Sequence, residues 1–401
     1  MIIDGRKGLH GEIKAPPSKS VMHRELIVSF LCSDRSHLDD MPGDSDDIKA
    51  TRACLRSVAQ AVPGQDVILD CNESGSTIRF MIPVACALLL RKGHETASSV
   101  VFRTKGRLFD RPFDELADAM RPNGIEITKD ESTRSIIAKG SMSAGIYTID
   151  GSVSSQYISG LLMALPLFDE ESRIVVTGDL KSVHYIGLTT DVLAKYGAPA
   201  KFDDNVFTPS CGGYPVRQPG PLSVEGDWSN GAFLLCLARY CGINVTGLSM
   251  DSKQGDRAIL DFLKLADSAS SDTSAEWDCT DTPDIAPYMA VVSAFSFGKM
   301  VLKGTGRLRI KESDRVMAVR EQLLAAGVKT EDTEDTLTIF GYSRTEGYEE
   351  PLKLSSYHDH RMAMCAILIA VILKVKVGID DTECLNKSFP ELREMIGKEM
   401  T

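Results

Sequence analysis

Residues 72–90, NESGSTIRFMIPVACALLL, join a short polar turn to a long apolar stretch. Ser74 can cap a helix, and the apolar residues that follow are typical of a buried one. The same plan recurs in DGSVSSQYISGLLMALPL (150–167), EGDWSNGAFLLCLA (225–238) and YHDHRMAMCAILIAVIL (357–373). Short β-branched runs at 174–178, 300–304 and 336–341 predict strands between such helices. The recurrence predicts a mixed α and β chain built from repeated strand, turn and helix units.

Helix starts carry free backbone N–H groups and a positive dipole end, so several of them packed together would form an anion site. The stretch KAPPSKSVMHR at 14–24 places Lys19, His23 and Arg24 at such a start, where positive charge is disfavoured. A bound anion would resolve this conflict. The sequence therefore indicates a concentrated site for negatively charged ligands.

Size and composition favour a soluble protein of two domains. The chain has 401 residues, of which 43% are hydrophobic and 25% charged, and a formal charge of −11 that argues against broad nucleic-acid binding. No secretory signal or membrane-length apolar run is visible, so a cytoplasmic location is expected. The ten cysteines form no CxxC pair, which predicts buried free thiols.

Residues 307–327, RLRIKESDRVMAVREQLLAAG, change period in the middle. Basic and apolar residues alternate over 307–311, which predicts a strand with one basic face, and helical spacing follows. Glu312 stands at the junction between Lys311 and Arg315, where cations can tune it as a proton donor or acceptor. A solvated surface ion network is an alternative that the spacing leaves open.

Other basic residues also adjoin predicted turns or helix starts, namely Arg79, Arg111, Arg361 and Lys387. Arginine forks suit the recognition of carboxylates and phosphates. No GxxxxGK[ST] loop or complete dinucleotide fingerprint is present, so no nucleotide cofactor is expected. His358 and His360 could lie on one side of an extended segment, but the adjacent arginine would repel a metal cation. A GxSxG motif for a serine hydrolase is absent.

In chain order, the motifs PSKSxxxR, SGSTxR, RP, SSQ, TPD, KESDR, DHRMAM and KSFPE resemble those of the 5-enolpyruvylshikimate-3-phosphate (EPSP) synthase family, also called 3-phosphoshikimate 1-carboxyvinyltransferases. The resemblance covers nearly the whole chain. It implies an α/β (α+β) fold, a two-domain inside-out α/β barrel with three βαβαββ repeats in each domain. The implied domains are residues 1–17 with 226–401, and the inserted residues 18–225. It also implies an active site in the cleft between them.

The resemblance also implies two overlapping sets of ligand-binding residues. The set for phosphoenolpyruvate is Lys19, Gly75, Arg111, Gln156, Arg315, Arg361 and Lys387. The set for shikimate 3-phosphate is Lys19, Ser20, Arg24, Ser154, Ser155, Gln156, Ser182, Asp284 and Lys311. Lys19, Asp284 and Glu312 are the implied catalytic residues. The sequence departs from the family pattern at Pro17, at Glu73 and at Arg307, where many members have Gly, Asn and Asn.

The implied reaction transfers the enolpyruvyl group of phosphoenolpyruvate to the 5-hydroxyl of shikimate 3-phosphate and releases phosphate. No metal or cofactor is expected, the partners are the two substrates alone, and the chain is expected to be a monomer. Gly75 would leave space near the donor, so inhibition by glyphosate is also expected. The alternatives are a UDP-N-acetylglucosamine enolpyruvyl transferase, a noncatalytic receptor for phosphorylated metabolites, and an RNA-end-processing enzyme. Ser20 after Lys19, where the sibling transferase is expected to have Asn, disfavours the first alternative.

Overall fold

The computed structural model describes all 401 residues as a mixture of helices and strands, as predicted. The strands are β1 (Ile2–Asp4), β2 (Gly11–Lys14), β3 (Asp66–Asp70), β4 (Ser99–Arg103), β5 (Ile125–Asp130), β6 (Ser135–Gly140), β7 (Ile146–Asp150), β8 (Arg173–Thr177), β9 (Ala200–Asp203), β10 (Val206–Pro209), β11 (Ile243–Thr246), β12 (Ser274–Asp278), β13 (Lys299–Lys303), β14 (Thr330–Asp332), β15 (Thr336–Phe340), β16 (Leu352–Leu354) and β17 (Lys376–Ile379). The α-helices are α1 (Lys19–Leu31), α2 (Asp46–Ala59), α3 (Gly75–Leu89), α4 (Asp114–Met120), α5 (Ser155–Ala164), α6 (Val183–Lys195), α7 (Trp228–Ala238), α8 (Ile259–Asp267), α9 (Ala286–Ser296), α10 (Arg315–Ala325), α11 (His360–Leu373) and α12 (Pro390–Glu399).

The chain divides into two compact units. Unit 1 contains Met1–Ser18 and Glu225–Thr401, and unit 2 contains Lys19–Val224. Each unit has its own core of buried apolar side chains. Unit 1 is therefore assembled from the two ends of the chain, and unit 2 is a continuous insertion.

Three four-stranded sheets share one topology. Their strand orders are β3-β4-β6-β5 and β7-β8-β10-β9 in unit 2, and β12-β13-β15-β14 in unit 1. In each sheet the first two strands are parallel and the remaining pairs are antiparallel. A helix connects each parallel pair, as a crossover connection requires. Unit 1 also contains the sheet β1-β17-β16 and the parallel pair of β11 with β2.

The helices that follow the repeated polar turns are buried on nearly all sides. In α3 and α11 almost every residue is buried, because both are apolar around their whole circumference. A side chain at Gly160 of α5 would come within 2.6 Å of the Arg79 carbonyl oxygen in α3, so this glycine permits close helix packing. Strands such as β3 and β7 alternate buried and exposed residues. Each unit thus has helices inside its core, and the sheets of unit 2 have one exposed face.

The predicted strand at 307–311 is wrong. Gly306–Ile310 form a short 3-10 helix, in which Leu308 is buried and Ile310 is exposed. The chain turns at Gly304, which has a φ of +72°, and the side chain of Arg309 donates to Asp332 Oδ2 at 2.6 Å. Local alternation suggested a strand, but this turn and the ion pair bend the segment instead. The helix predicted after it is confirmed as α10.

Seven of the ten cysteines are buried and all ten are free, as the spacing predicted for most of them. Cys211 is exposed, and Cys241 and Cys384 are partly exposed.

None of the helices combines the length and the apolarity that a membrane crossing requires.

Candidate active site

Five helices begin at a capping side chain that accepts a hydrogen bond from the first helical turn. The caps are Ser74 for α3, Ser154 for α5, Asp227 for α7, Asp314 for α10 and Asp359 for α11. The four helix starts predicted from the repeated turns are therefore confirmed. A single cap satisfies only part of the free N–H groups at a helix start, so these turns keep donor capacity for a ligand.

In unit 1 the guanidinium of Arg315 lies among three carboxylates. It donates to Glu312 Oε2 at 2.7 Å, to Asp284 Oδ1 at 2.9 Å and to Asp359 Oδ2 at 2.8 Å. The side chain of Arg315 is only 1% exposed, so these charges interact with little screening by water. One buried cation thus contacts both Asp284 and Glu312, two of the three catalytic residues that the family resemblance implies.

A second cation stands beside each of these two predicted catalytic carboxylates. Lys387 Nζ is 3.9 Å from Glu312 Oε1, and Lys311 Nζ is 3.7 Å from Asp284 Oδ1. Desolvation opposes ionisation of Asp284, but the charges of Lys311, Arg315 and Arg361 outweigh it and hold its pKa below the usual range. Asp284 is therefore an ionised hydrogen-bond acceptor at neutral pH. Burial also lowers the pKa of Lys311 to about 8.

Arg361 belongs to the same group of charges. Its Nη1 donates to the carbonyl oxygen of Ser229 at 3.1 Å and to the hydroxyl of Tyr288 at 2.9 Å. Its Nε is buried and has no hydrogen-bond partner in the protein. Although burial opposes the charge, Tyr288 and Asp284 raise the pKa of Arg361, which stays a cation. One side of this guanidinium is fixed while donor capacity remains for a ligand.

Sequence reasoning missed Asp359, which holds this group together. It is completely buried, caps α11 through the backbone N–H of Arg361, and accepts from Ser313 Oγ at 3.0 Å. It also accepts two hydrogen bonds from Arg315. The available signal was its position as the acid that precedes α11 in the DHR motif. That signal predicts a cap but not the contact with Arg315, which lies 44 residues earlier.

In unit 2 the starts of α3 and α5 are hydrogen-bonded to each other. Gln156 accepts from Arg79 Nη1 and donates to Ser76 Oγ, both at 2.8 Å. A Cβ on Gly75 would lie 2.6 Å from Arg111 Nη1 and 3.2 Å from Arg79 Nη1. The absence of a side chain at Gly75 is what lets both guanidinium groups approach the start of α3.

Lys19 begins α1 and its ammonium group lies 2.8 Å from Asp47 Oδ2. The interpretation of His23 as a third basic group here is wrong. His23 is fully buried, its Nδ1 shares a hydrogen bond with Thr51 Oγ1, and its Nε2 has no partner. Burial lowers its pKa to about 3, so His23 is neutral.

Arg24 is held by unit 2 itself. It donates to Thr189 Oγ1 at 2.7 Å, to the carbonyl of Ser20 at 2.6 Å and to that of Tyr185 at 2.9 Å. Burial lowers its pKa to about 10, which keeps it charged at neutral pH. Three more residues of the predicted site are buried where α5 and α6 begin, namely Ser154, Ser155 and Ser182.

The three departures from the family pattern have clear structural settings. Glu73 lies against Gly106, where a Cβ would come within 2.3 Å of Glu73 Oε1. Pro17 forms a β-bridge with Gly226. Arg307 lies in the 3-10 helix, where its charge contributes to lowering the pKa of Lys311. None of the three is among the residues that we assign to proton transfer.

The side chains form no group of three or more histidine, cysteine, aspartate or glutamate residues that could hold a metal ion. The ion pairs of Arg315 place a buried cation beside carboxylates. Such an arrangement can bind anions and move protons.

Solved structures with a similar fold include an EPSP synthase and an enolpyruvyl transferase. The structure of an EPSP synthase from Acinetobacter baumannii superposes with a TM-score of 0.70. The match covers all of this chain and 97% of that structure's chain, at 21% sequence identity. The structure of the enolpyruvyl transferase NikO from Streptomyces tendae superposes with a TM-score of 0.67. The match covers all of this chain and 97% of that structure's chain, at 14% sequence identity. The chain thus has the fold of these two proteins.

Sequence comparison defines the family more narrowly. The family model for EPSP synthase (3-phosphoshikimate 1-carboxyvinyltransferase) matches residues 3–396. A 3-phosphoshikimate 1-carboxyvinyltransferase from Clostridium acetobutylicum is 33% identical, over 96% of this chain and 93% of that relative. A second 3-phosphoshikimate 1-carboxyvinyltransferase, from Clostridium kluyveri, is 32% identical over 95% of this chain and 93% of that relative. The chain belongs to the EPSP synthase family, which confirms the resemblance predicted from the motifs.

Proposed function

We propose that this protein transfers the enolpyruvyl group of phosphoenolpyruvate to the 5-hydroxyl of shikimate 3-phosphate and releases inorganic phosphate. Membership of the EPSP synthase family supports the reaction. The observation that carries the chemistry is the sharing of the Arg315 guanidinium between Asp284 and Glu312. It brings a candidate proton acceptor and a candidate proton donor to one buried cation.

Both units contribute to the proposed binding residues. Phosphoenolpyruvate is bound by Lys19, Gly75, Arg111, Gln156, Arg315, Arg361 and Lys387. Shikimate 3-phosphate is bound by Lys19, Ser20, Arg24, Ser154, Ser155, Gln156, Ser182, Asp284 and Lys311. The units are the two domains of an inside-out α/β barrel with three βαβαββ repeats each, and the protein acts as a monomer. The common topology of three sheets supports the repeats.

The proposed mechanism is addition followed by elimination. Glu312 gives a proton to the methylene carbon of phosphoenolpyruvate, and the 5-hydroxyl oxygen attacks the neighbouring carbon as Asp284 and Lys19 assist removal of the hydroxyl proton. The resulting tetrahedral adduct loses a proton from its new methyl group together with phosphate. The enol ether is thereby formed, with no change of oxidation state.

The charges around Glu312 suggest how it becomes an acid. Arg315 and Lys387, both proposed ligands of phosphoenolpyruvate, lie beside its two carboxyl oxygens. A bound substrate anion competes for these two cations and places negative charge near Glu312. Both changes favour protonation of its carboxyl group.

The activity is tested by mixing the purified protein with phosphoenolpyruvate and shikimate 3-phosphate, without added metal or nucleotide. Phosphate and the enolpyruvyl ether should appear in equal amounts. A parallel reaction with UDP-N-acetylglucosamine tests the sibling activity. Tight binding of both substrates without any product would instead support a noncatalytic receptor.

Replacing the proposed acid tests the mechanism. Glu312→Gln keeps the shape but cannot donate the proton, so we expect kcat to fall by about 10²- to 10⁴-fold with little change in substrate binding. Exposed Glu349 offers a matched control, and Glu349→Gln should retain the wild-type kcat. A kcat for Glu312→Gln close to that of the wild type would exclude the proposed role.

Replacing the proposed shared ligand tests the binding assignment. Lys19→Met removes the ammonium group that we assign to both substrates and that pairs with Asp47. Both substrate affinity and kcat should therefore fall. Lys398 is 78% exposed, and Lys398→Met controls for the general effect of losing one lysine charge. Wild-type kinetics in a folded Lys19→Met protein would remove Lys19 from the site.

A further inference from the structure

The first turn of α7 connects several charged parts of unit 1. The carbonyl oxygen of Ser229 accepts from Arg361 Nη1 at 3.1 Å. The next residue, Asn230, donates from Nδ2 to Ser388 Oγ at 3.2 Å, directly after Lys387. The position of this turn therefore affects two cations that we assign to phosphoenolpyruvate.

Residues 254–256, Gln-Gly-Asp, hold this turn from outside the helix. Gln254 accepts from the backbone N–H of Trp228 at 3.1 Å and donates to the carbonyl of Gly226 at 2.8 Å. Asp256 Oδ2 accepts a hydrogen bond from the hydroxyl of Ser229. Neither the motifs of the sequence nor the proposed mechanism gives Asp256 a role.

Asp256 is costly to bury. It is 2% exposed, and its Oδ1 has no hydrogen-bond partner. A buried carboxyl group with an unsatisfied oxygen destabilises a fold unless another benefit offsets it. Its one side-chain hydrogen bond goes to the residue whose carbonyl fixes Arg361.

We propose that Asp256 is a positioning residue for phosphoenolpyruvate binding, which acts through Ser229 on the guanidinium of Arg361. The inference rests on the proposed function. Asp256 fixes the Ser229 hydroxyl, and the Ser229 carbonyl and the Tyr288 hydroxyl take both hydrogens of Arg361 Nη1. The buried Nε of Arg361 is left with donor capacity. The edge of the guanidinium that contains Nε can then bind a carboxylate in two parallel hydrogen bonds.

The hydrogen bond of Asp256 matters here more than its charge. Burial and the nearby negative charge of Asp284 raise the pKa of Asp256 to about 7, against the opposing effects of Ser229 and Arg361. The carboxyl group is therefore not a constant negative charge near neutral pH. An uncharged acceptor of the same shape should perform its positioning role.

The test uses the full-length enzyme and the Michaelis constant of each substrate. Ser229→Ala and Asp256→Ala should each raise KM for phosphoenolpyruvate about tenfold and leave KM for shikimate 3-phosphate within about twofold, because Arg361 is assigned to the first substrate alone. Asp256→Asn keeps an oxygen acceptor for Ser229 and should recover most of the affinity. The double alanine variant should be no worse than either single variant, because both act on one chain of contacts.

Ser293 of α9 provides the matched control. Ser293 is 1% exposed and its hydroxyl has no hydrogen-bond partner, so Ser293→Ala removes a buried oxygen without cutting this chain of contacts. Both KM values should stay at the wild-type level. Circular dichroism of every variant checks that the protein is folded.

The outcomes separate this inference from the proposed function. If the wild type makes no enolpyruvyl ether, the function itself is wrong. If the wild type is active but folded Ser229→Ala binds phosphoenolpyruvate normally, only the positioning role is overturned. Equal increases in both KM values, or independent effects that multiply in the double variant, would also overturn it. Should Asp256→Ala fail to fold, Ser229→Ala and Asp256→Asn still decide the question.

Discussion

The buried, neutral His23 predicts a specific loss of stability in acid. In the unfolded chain a histidine has a pKa of about 6.5, whereas burial lowers the pKa of His23 in unit 2 to about 3. Between these values the unfolded state binds one more proton than the folded state. The free energy of unfolding of unit 2 therefore decreases progressively as the pH falls below about 6.5.

The size of this loss follows from the two pKa values. At pH 5 the unfolded histidine is almost fully protonated and the folded one is not, so the change from pH 7 to pH 5 costs about 2 kcal/mol from this residue alone. His23→Gln cannot take up the proton but keeps a polar group for Thr51. The variant should thus show a pH dependence that is about 2 kcal/mol smaller over this interval.

Urea unfolding at pH 7, 6 and 5 measures the difference. Both tryptophans, Trp228 and Trp277, belong to unit 1, so tryptophan fluorescence follows that unit and circular dichroism is needed for unit 2. Comparison of wild type with His23→Gln cancels the titration of the groups that they share. Equal pH dependence in the two proteins, or a charged His23 at pH 5 by NMR, would refute the reasoning.

Two further substitutions test the contacts of the candidate site. Gly75→Ala would place a Cβ 2.6 Å from Arg111 Nη1 and should raise KM for phosphoenolpyruvate at least tenfold. The melting temperature should be nearly unchanged, because only the flexible end of the arginine must move. An unchanged KM would contradict this geometry. Asp359→Asn removes a fully buried charge opposite Arg315 and should lower the free energy of unfolding of unit 1 by about 3 kcal/mol, followed by tryptophan fluorescence in urea. Asp272 is exposed, so Asp272→Asn should change the free energy of unfolding by less than about 0.5 kcal/mol. Equal effects of the two aspartate variants would count against a stabilising buried ion pair.

Local patterns in the sequence predicted much of the secondary structure. The polar turns at Ser74, Ser154, Asp227 and Asp359 cap helices as expected, because a cap depends on contacts within one helical turn. The strand predicted at 307–311 failed, because an ion pair with Asp332, remote in sequence, decides the conformation there.

Taken alone, the sequence determined the family, the mixed α and β class and the positions of the capped helices, since motif order and short-range spacing carry that information. The tertiary structure alone decided that His23 is neutral, that Asp359 and Asp284 share Arg315, and that Asp256 reaches Ser229. Burial and charge pairing create these properties. They depend on residues that are far apart in the chain and become neighbours only when it folds.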